Sequence, residues 1–184
     1  MEAIQTNKTK HQSNLDFRFM SFFFRIRDIF RPPVGKIKKA NLKPGYVVLD
    51  YGCGPGSYAI AAAKEVGPTG KVFAADIHPL AVKKVKQKAE KMGYANIETI
   101  QTDCNTGLAD ESVDVVICFD MLHAIPNKND LLKEFHRVLK PHSMLSLDDH
   151  HYDDGQLVDL VTSGNLFRLY EKKEKQYNFE KIGA

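Results

Sequence analysis

The segment from Tyr46 to Glu65 constrains this chain more than any other. Tyr46-Val47-Val48-Leu49-Asp50 is a continuous apolar run of strand length that closes on an acid. Gly52, Gly54 and Gly56 follow at alternate positions, and Ser57 opens an Ala-rich helix to about Glu65. A strand with no polar alternation is buried on both faces, which is the habit of a parallel sheet. The pattern then repeats in looser form. Lys71–Asp76 reads as a strand, Pro79 to Gly93 as a helix with proline at its start and glycine at its end, and Asn96–Gln101 and Asp114–Phe119 as strands. Lys128–Leu139 reads as a helix ended by Pro141, Ser143–Asp148 as a strand and Gly155–Thr162 as a helix. Leu166–Glu171 and Gln176–Lys181 form a terminal pair of strands around Lys172-Lys173-Glu174. The alternation predicts one α/β domain with a mostly parallel sheet.

Charge divides the chain differently. The net charge is +3, but residues 1–39 carry nine Lys/Arg against three acids, so a +6 leader precedes a body of −3. This gives a flexible N-terminus over 1–14, a basic aromatic helical arm over 15–39 and a core domain over 40–184. In the arm, Phe19, Phe22, Phe23, Ile26, Ile29 and Phe30 follow helical spacing, Phe17, Met20 and Phe24 form a second stripe, and Pro32-Pro33 stops the helix. Arg18, Arg25, Arg27 and Asp28 interrupt the stretch, so it cannot span a membrane. The three cysteines, at 53, 104 and 118, lack paired spacing and read as reduced thiols of a cytoplasmic protein, with no metal site expected.

The glycine cluster by itself supports two readings, a tight strand-to-helix turn or a cradle where a ligand meets backbone at a helix N-terminus. The acids after it narrow the ligand. A dinucleotide site presents N–H groups to a pyrophosphate without a carboxylate beside them, yet Asp50 stands just before the loop. An acid there suits a ligand with a cationic centre and an amino group. Asp76, ending the next strand, can accept from both ribose hydroxyls, and Asp103 can accept from an adenine amino group. Three acids at three consecutive strand ends describe an adenosyl ligand without phosphate, and argue against an NAD(P)-dependent oxidoreductase.

Val48-Leu49-Asp50-Tyr51-Gly52-Cys53-Gly54-Pro55-Gly56 resembles the first motif of class I S-adenosylmethionine-dependent methyltransferases. Ala75-Asp76-Ile77-His78-Pro79 resembles their second motif, Thr102-Asp103-Cys104 the third and Phe119-Asp120-Met121-Leu122-His123 the fourth. Phe135-His136-Arg137-Val138-Leu139-Lys140-Pro141 resembles the helix end before the fifth strand in the quinone-biosynthesis and arsenite methyltransferase branch. The resemblance implies a Rossmann-like three-layer sandwich whose seven-stranded, mostly parallel sheet ends in an antiparallel strand. It implies S-adenosylmethionine as cofactor and S-adenosylhomocysteine as product. Gly52 and Gly54 would approach the methionine part, Asp76 the ribose, and Ile77 and Cys104 the adenine. With Asp50, Tyr51, Cys53, Asp103 and Phe119 these complete the expected cofactor set. His142-Ser143 replaces the usual glycine pair, at a turn that should not touch the cofactor.

The acceptor must sit behind the methyl, at the carboxyl ends of the fourth and fifth strands. His123 and His150 are the candidate catalytic residues there, against a plain reading of packing and loop-rim histidines. Adjacent His150 and His151 in extended chain would point to opposite sides and give one centre a single ligand, so the Asp/His-rich rim reads as polar loop. No Asn/Asp-Pro-Pro-aromatic sequence follows the fourth strand, which disfavours nucleic-acid amino groups. A small, apolar or amphipathic acceptor is expected, with the arm as lid, and with docking, homodimer contact or weak membrane-surface contact as its lesser readings. A noncatalytic protein that binds the same adenosyl ligand is the alternative.

Overall fold

The computed structural model describes residues 13–183. Apart from Ser13 and Asn14, the flexible segment expected over 1–14 lies outside the described residues. The Ser13 side chain accepts the Asp16 N–H, a cap for α1 (Asn14–Phe30). Then come α2 (Pro33–Lys39), β1 (Val47–Tyr51), α3 (Ser57–Val66), β2 (Lys71–Asp76), α4 (Pro79–Met92), β3 (Ile97–Gln101) and β4 (Val113–Phe119). A 3-10 turn (Leu122–Ala124) precedes α5 (Lys128–Val138), β5 (Leu139–Asp148), α6 (Asp154–Thr162), β6 (Phe167–Lys173) and β7 (Gln176–Lys181).

All seven strands form one sheet in the order β3-β2-β1-β4-β5-β7-β6. β3, β2, β1, β4 and β5 are parallel, while β7 runs antiparallel between β5 and β6. Each face carries its own core, because side chains alternate along a strand. Val113, Val116 and Cys118 of β4 pack with Phe135 of α5 and Leu157 of α6, whereas Val115, Ile117 and Phe119 pack with Ile37 of α2 and Ala59 and Ala63 of α3. This is the three-layer α/β sandwich expected, with the antiparallel element supplied by the terminal pair of strands.

Three local readings change. Pro33 both stops α1 and starts α2, since its missing N–H is no loss in a first helical turn. The second departure is β5, which begins at Leu139 and passes through Pro141 at a register shift against β4. His142 adopts φ +59° there, at the N-terminal end of β5, the opposite sheet edge from the glycine loop.

The third concerns the arm. Its inner side carries Phe17 and Phe24 of the second stripe: Phe17 is 1% exposed, Phe24 is half-buried and Ser21 is buried, while Phe19, Phe22, Phe23, Ile29 and Phe30 are between 58% and 80% exposed. The longer stripe is thus the outer face of α1, and the inner face lies over the glycine loop.

Candidate functional site

β1 ends at the centre of the sheet, beside the point where strand order reverses, and there the chain must leave the sheet and enter α3 within five residues. Gly52, Gly54 and Gly56 make the turn with φ of +76°, +50° and +83°, conformations that a Cβ disfavours. The Gly52 and Cys53 N–H groups donate to the Ala75 carbonyl at 2.9 and 3.0 Å, and the Gly54 N–H donates to an Asp76 carboxylate oxygen at 2.9 Å. The other Asp76 oxygen accepts the His78 N–H at 2.8 Å. Asp76 therefore ties the loop to the end of β2 and keeps a lone pair on each oxygen for a pair of hydroxyls. Burial raises its carboxyl above the usual range, against the pull of those two N–H donors.

Asp50 is the most perturbed acid near the loop. Its carboxyl is buried, one oxygen has no hydrogen-bond partner, and burial together with the nearby Asp76 charge pushes its pKa up to about 8. A carboxylate so placed is completed by a cationic ligand group. The donor set thus fits a sulfonium and amino-bearing nucleoside, with Asp50 at its cationic end and Asp76 at its ribose.

The other expected cofactor residues divide. Ile77 and Cys104 are half-buried and Asp103 is exposed, at the ends of β2 and β3. Phe119 is buried, edge-on to Tyr58 with centroids 4.9 Å apart. The Tyr51 ring packs edge-on against Phe135 at 5.2 Å and the Cys53 side chain enters the core with Ala59, so both can serve a ligand only through their backbone. Strand alternation turns Tyr51 away from the loop, and burial raises the Cys53 thiol well above its usual range.

The arm covers this end of the sheet. Phe17 stacks on His78 with ring centroids 4.5 Å apart, and the Phe24 ring lies 3.7 Å from where a Gly54 Cβ would stand. The Ser57 hydroxyl donates to Asp28, and the Arg27 guanidinium lies over both Phe24 and Tyr58. His78 is thus a contact that motif reading passed over, although its place after the acid of the second motif marked it.

Past β4 and β5 the structure gathers His123, His150 and His151 with Asp120 and Asp149. Asp149 has a fully buried side chain that accepts the backbone N–H of His123 at 2.8 Å and of His151 at 3.0 Å. Its oxygens also meet Nδ1 of His123 at 2.9 Å and of His151 at 3.0 Å. Burial alone would raise this carboxyl, but the backbone and ring hydrogen bonds from His123 and His151 hold it below the usual range. Nδ1 of His150 lies 2.5 Å from Asp120. The expectation that His150 and His151 diverge fails, because the chain turns at once after β5 and their ring centroids are 4.0 Å apart. Asp148 pairs with Lys36 of α2, and burial raises its carboxyl despite that partner.

Fold and site together define a doubly wound α/β domain whose ligand edge suits a nucleoside rather than a dinucleotide. Residues 42–182 match the profile of a family described as a methyltransferase domain, and the chain belongs to that family, as a class I S-adenosylmethionine-dependent methyltransferase domain. The chain is 34% identical over 111 residues to an arsenite methyltransferase of Halobacterium salinarum, covering 60% of this chain and 28% of that one. It is 34% identical over 109 residues to a demethylmenaquinone methyltransferase of Geobacillus kaustophilus, covering 59% and 47%. It thus spans less than half the length of these curated relatives. A solved SAM-dependent methyltransferase from Aquifex aeolicus superposes with a TM-score of 0.75 at 25% identity, over 82% of this chain and 90% of that one. The solved [4+2]-cyclase SpnF has the same fold, with a TM-score of 0.68 at 18% identity over 77% of this chain and 57% of that one.

Proposed function

We propose that this chain transfers the methyl group of S-adenosylmethionine to a small, apolar or amphipathic molecule in the cytoplasm. The observation that carries the reading is Asp50, a buried carboxyl with an unpartnered oxygen beside the glycine loop. A dinucleotide's pyrophosphate would favour the neutral acid and gain no counter-charge there, whereas a sulfonium or ammonium group would draw the carboxyl into its charged form and supply the missing partner. When bound, the cofactor supplies an activated methyl, whose bond to sulfur breaks as the bond to the acceptor forms.

The protein's part is positional. Gly52 and Gly54 let the ligand approach the backbone, Asp76 holds the ribose, and Ile77 and Cys104 flank the base. His123 and His150 stand at the acceptor end, each with Nδ1 directed by a carboxylate. The arm, with Phe17 and Phe24 inward, serves as a lid that excludes water from the loop. A relative named for demethylmenaquinone supports an apolar acceptor more than one named for arsenite does. Thiol chemistry has little to work with, since Cys53 and Cys118 are buried. The free thiols also support a reducing compartment. Among the described residues no helix is long and apolar enough to cross a membrane.

Calorimetry with S-adenosylmethionine, S-adenosylhomocysteine and NAD tests the ligand. The first two should bind and NAD should not; binding of NAD alone would overturn the reading. A screen of small-molecule extracts with methyl-labelled cofactor then tests transfer. Cofactor binding with no label in any extract would favour the alternative, a protein that only holds the ligand.

A further inference from the structure

The cofactor reading leaves the imidazole–carboxylate cluster at the ends of β4 and β5 without a task. We propose that Asp120, His123, Asp149 and His151 bind a divalent transition-metal ion of the zinc class. One donor atom from each of the four lies within 4.8 Å of the others. Measured between atoms, His123 Nδ1 is 2.9 Å and His151 Nδ1 is 3.0 Å from Asp149, and His151 Nδ1 is 4.0 Å from Asp120. These edges bracket the roughly 3.3 Å that separates N and O donors around a tetrahedral ion with bonds of about 2.0–2.1 Å.

The cluster is fixed in advance rather than assembled from loose surface chains. Asp149 is buried and cannot swing, because the His123 and His151 N–H groups hold its two oxygens. The Asp120 backbone takes φ +53°, and its N–H donates to the Asp148 carbonyl at 2.8 Å, locking the end of β4 to that of β5. His150 Nδ1 meets the same Asp120 oxygen, Oδ1, that faces His151, so an ion there would share that oxygen with His150 or displace it. The His123 and His151 rings lie 3.6 Å apart, although their side chains are 32% and 47% exposed. Two partly exposed imidazoles brought together at a 31° tilt against one carboxylate is an arrangement that a shared cation would explain.

The donors choose the ion. Two nitrogens and two carboxylate oxygens suit Zn²⁺, Mn²⁺ or Fe²⁺ more than Mg²⁺ or Ca²⁺, which prefer oxygen alone, and more than soft ions, which would need thiolates. An imidazole that ligates cannot also take a proton from the acceptor, so His123 is here a ligand and not a base. On the methyltransferase reading above, the ion, by expanding to a fifth ligand, would give an acceptor with an oxygen or nitrogen donor a point of attachment beside the methyl. Binding of the ion itself does not depend on that reading.

The test uses the full chain, free of any histidine tag and stripped of metal, titrated with Zn²⁺ against a chromogenic chelator and with Co²⁺ by absorption. We expect one ion per chain and Co²⁺ d–d bands without a thiolate charge-transfer band. His123→Ala, His151→Ala and Asp120→Asn should each weaken binding at least tenfold, with circular dichroism unchanged, while His142→Ala, at the far sheet edge, should leave it as it is. Lack of stoichiometric binding, a thiolate band, or a His123→Ala/His151→Ala double variant that binds like the parent would overturn the proposal. Should the alanine variants unfold, Asp120→Asn and His123→Gln carry the same test. S-adenosylmethionine binding by the stripped protein is read separately. Zn²⁺ without cofactor binding sinks the methyltransferase reading alone, and cofactor without Zn²⁺ binding sinks the ion site alone.

Discussion

At the scale of single residues, the proposed function gives two acids separate parts in recognising the cofactor. In the ligand-free protein Asp50 keeps its proton up to about pH 8, whereas in the unfolded chain it ionises near 3.8. Between those values only the folded state binds the proton, so this group's contribution to stability falls as pH rises through the window and levels off above it. Thermal melts from pH 5 to 9 should therefore decline more steeply for the parent than for Asp50→Asn; parallel slopes would refute the assignment. A cationic ligand reverses the preference. Binding of S-adenosylmethionine below pH 8 should release a proton and tighten by up to about tenfold per pH unit, a dependence that calorimetry in two buffers detects and that Asp50→Asn removes. Asp76 acts by hydrogen bonding, and Asp76→Ala should weaken adenosyl binding by about 1.5–3 kcal/mol, the range for bonds to a charged group. Unchanged affinity would remove Asp76 from the ribose. The strand-end positions of both acids were legible in the sequence, because a continuous apolar run closing on an acid marks the end of a buried parallel strand. For Tyr51 and Cys53 the motif gave positions, while strand alternation and burial decide that only their backbone can face a ligand.

At the scale of elements, α1 is held by one stripe and exposes another. Phe17→Ala together with Phe24→Ala should free it from His78 and the glycine loop, seen as faster tryptic cleavage at Arg25 and Arg27 with the core intact. If cofactor affinity and cleavage rate both stayed at parent values, the lid would be excluded. The start of α6 offers a cleaner check. Asp153 accepts the Gln156 N–H while the Gln156 side chain accepts the Asp153 N–H, a reciprocal cap. Asp153→Ala should cost about 1 kcal/mol in denaturant unfolding. That cap was readable as Asp-x-x-Gln, though the helix start was expected at Gly155. α2 was not readable. Its carbonyls at Lys36 and Lys39 accept from Gln176 and Asn178 of β7, about 140 positions later, and Ile37 alone enters the core. A seven-residue helix with a glycine and three lysines has little propensity of its own.

For the whole molecule, a ligand that binds only the folded state must raise its melting temperature by mass action. S-adenosylmethionine at 100 times its dissociation constant should add about 2.7 kcal/mol, which for a domain of this size is a shift of roughly 5–10 °C, while NAD should add nothing. No shift with S-adenosylmethionine would count against the cofactor. What the sequence determined alone was the order of the strands and of every helix but α2, the parallel sheet, and the acids and glycines at its strand ends, because each follows from local hydrophobic period and the position of glycines and acids. Tertiary structure decided everything that depends on partners far apart in the chain. It selected the inner stripe of α1, since only contact with His78 and Gly54 distinguishes two greasy faces. It formed α2 from β7's amides, and it turned Asp120, His123, Asp149 and His151 toward one point. Those four residues come from two strand ends that lie side by side only once β4 and β5 pair, and no spacing along the chain encodes that distance.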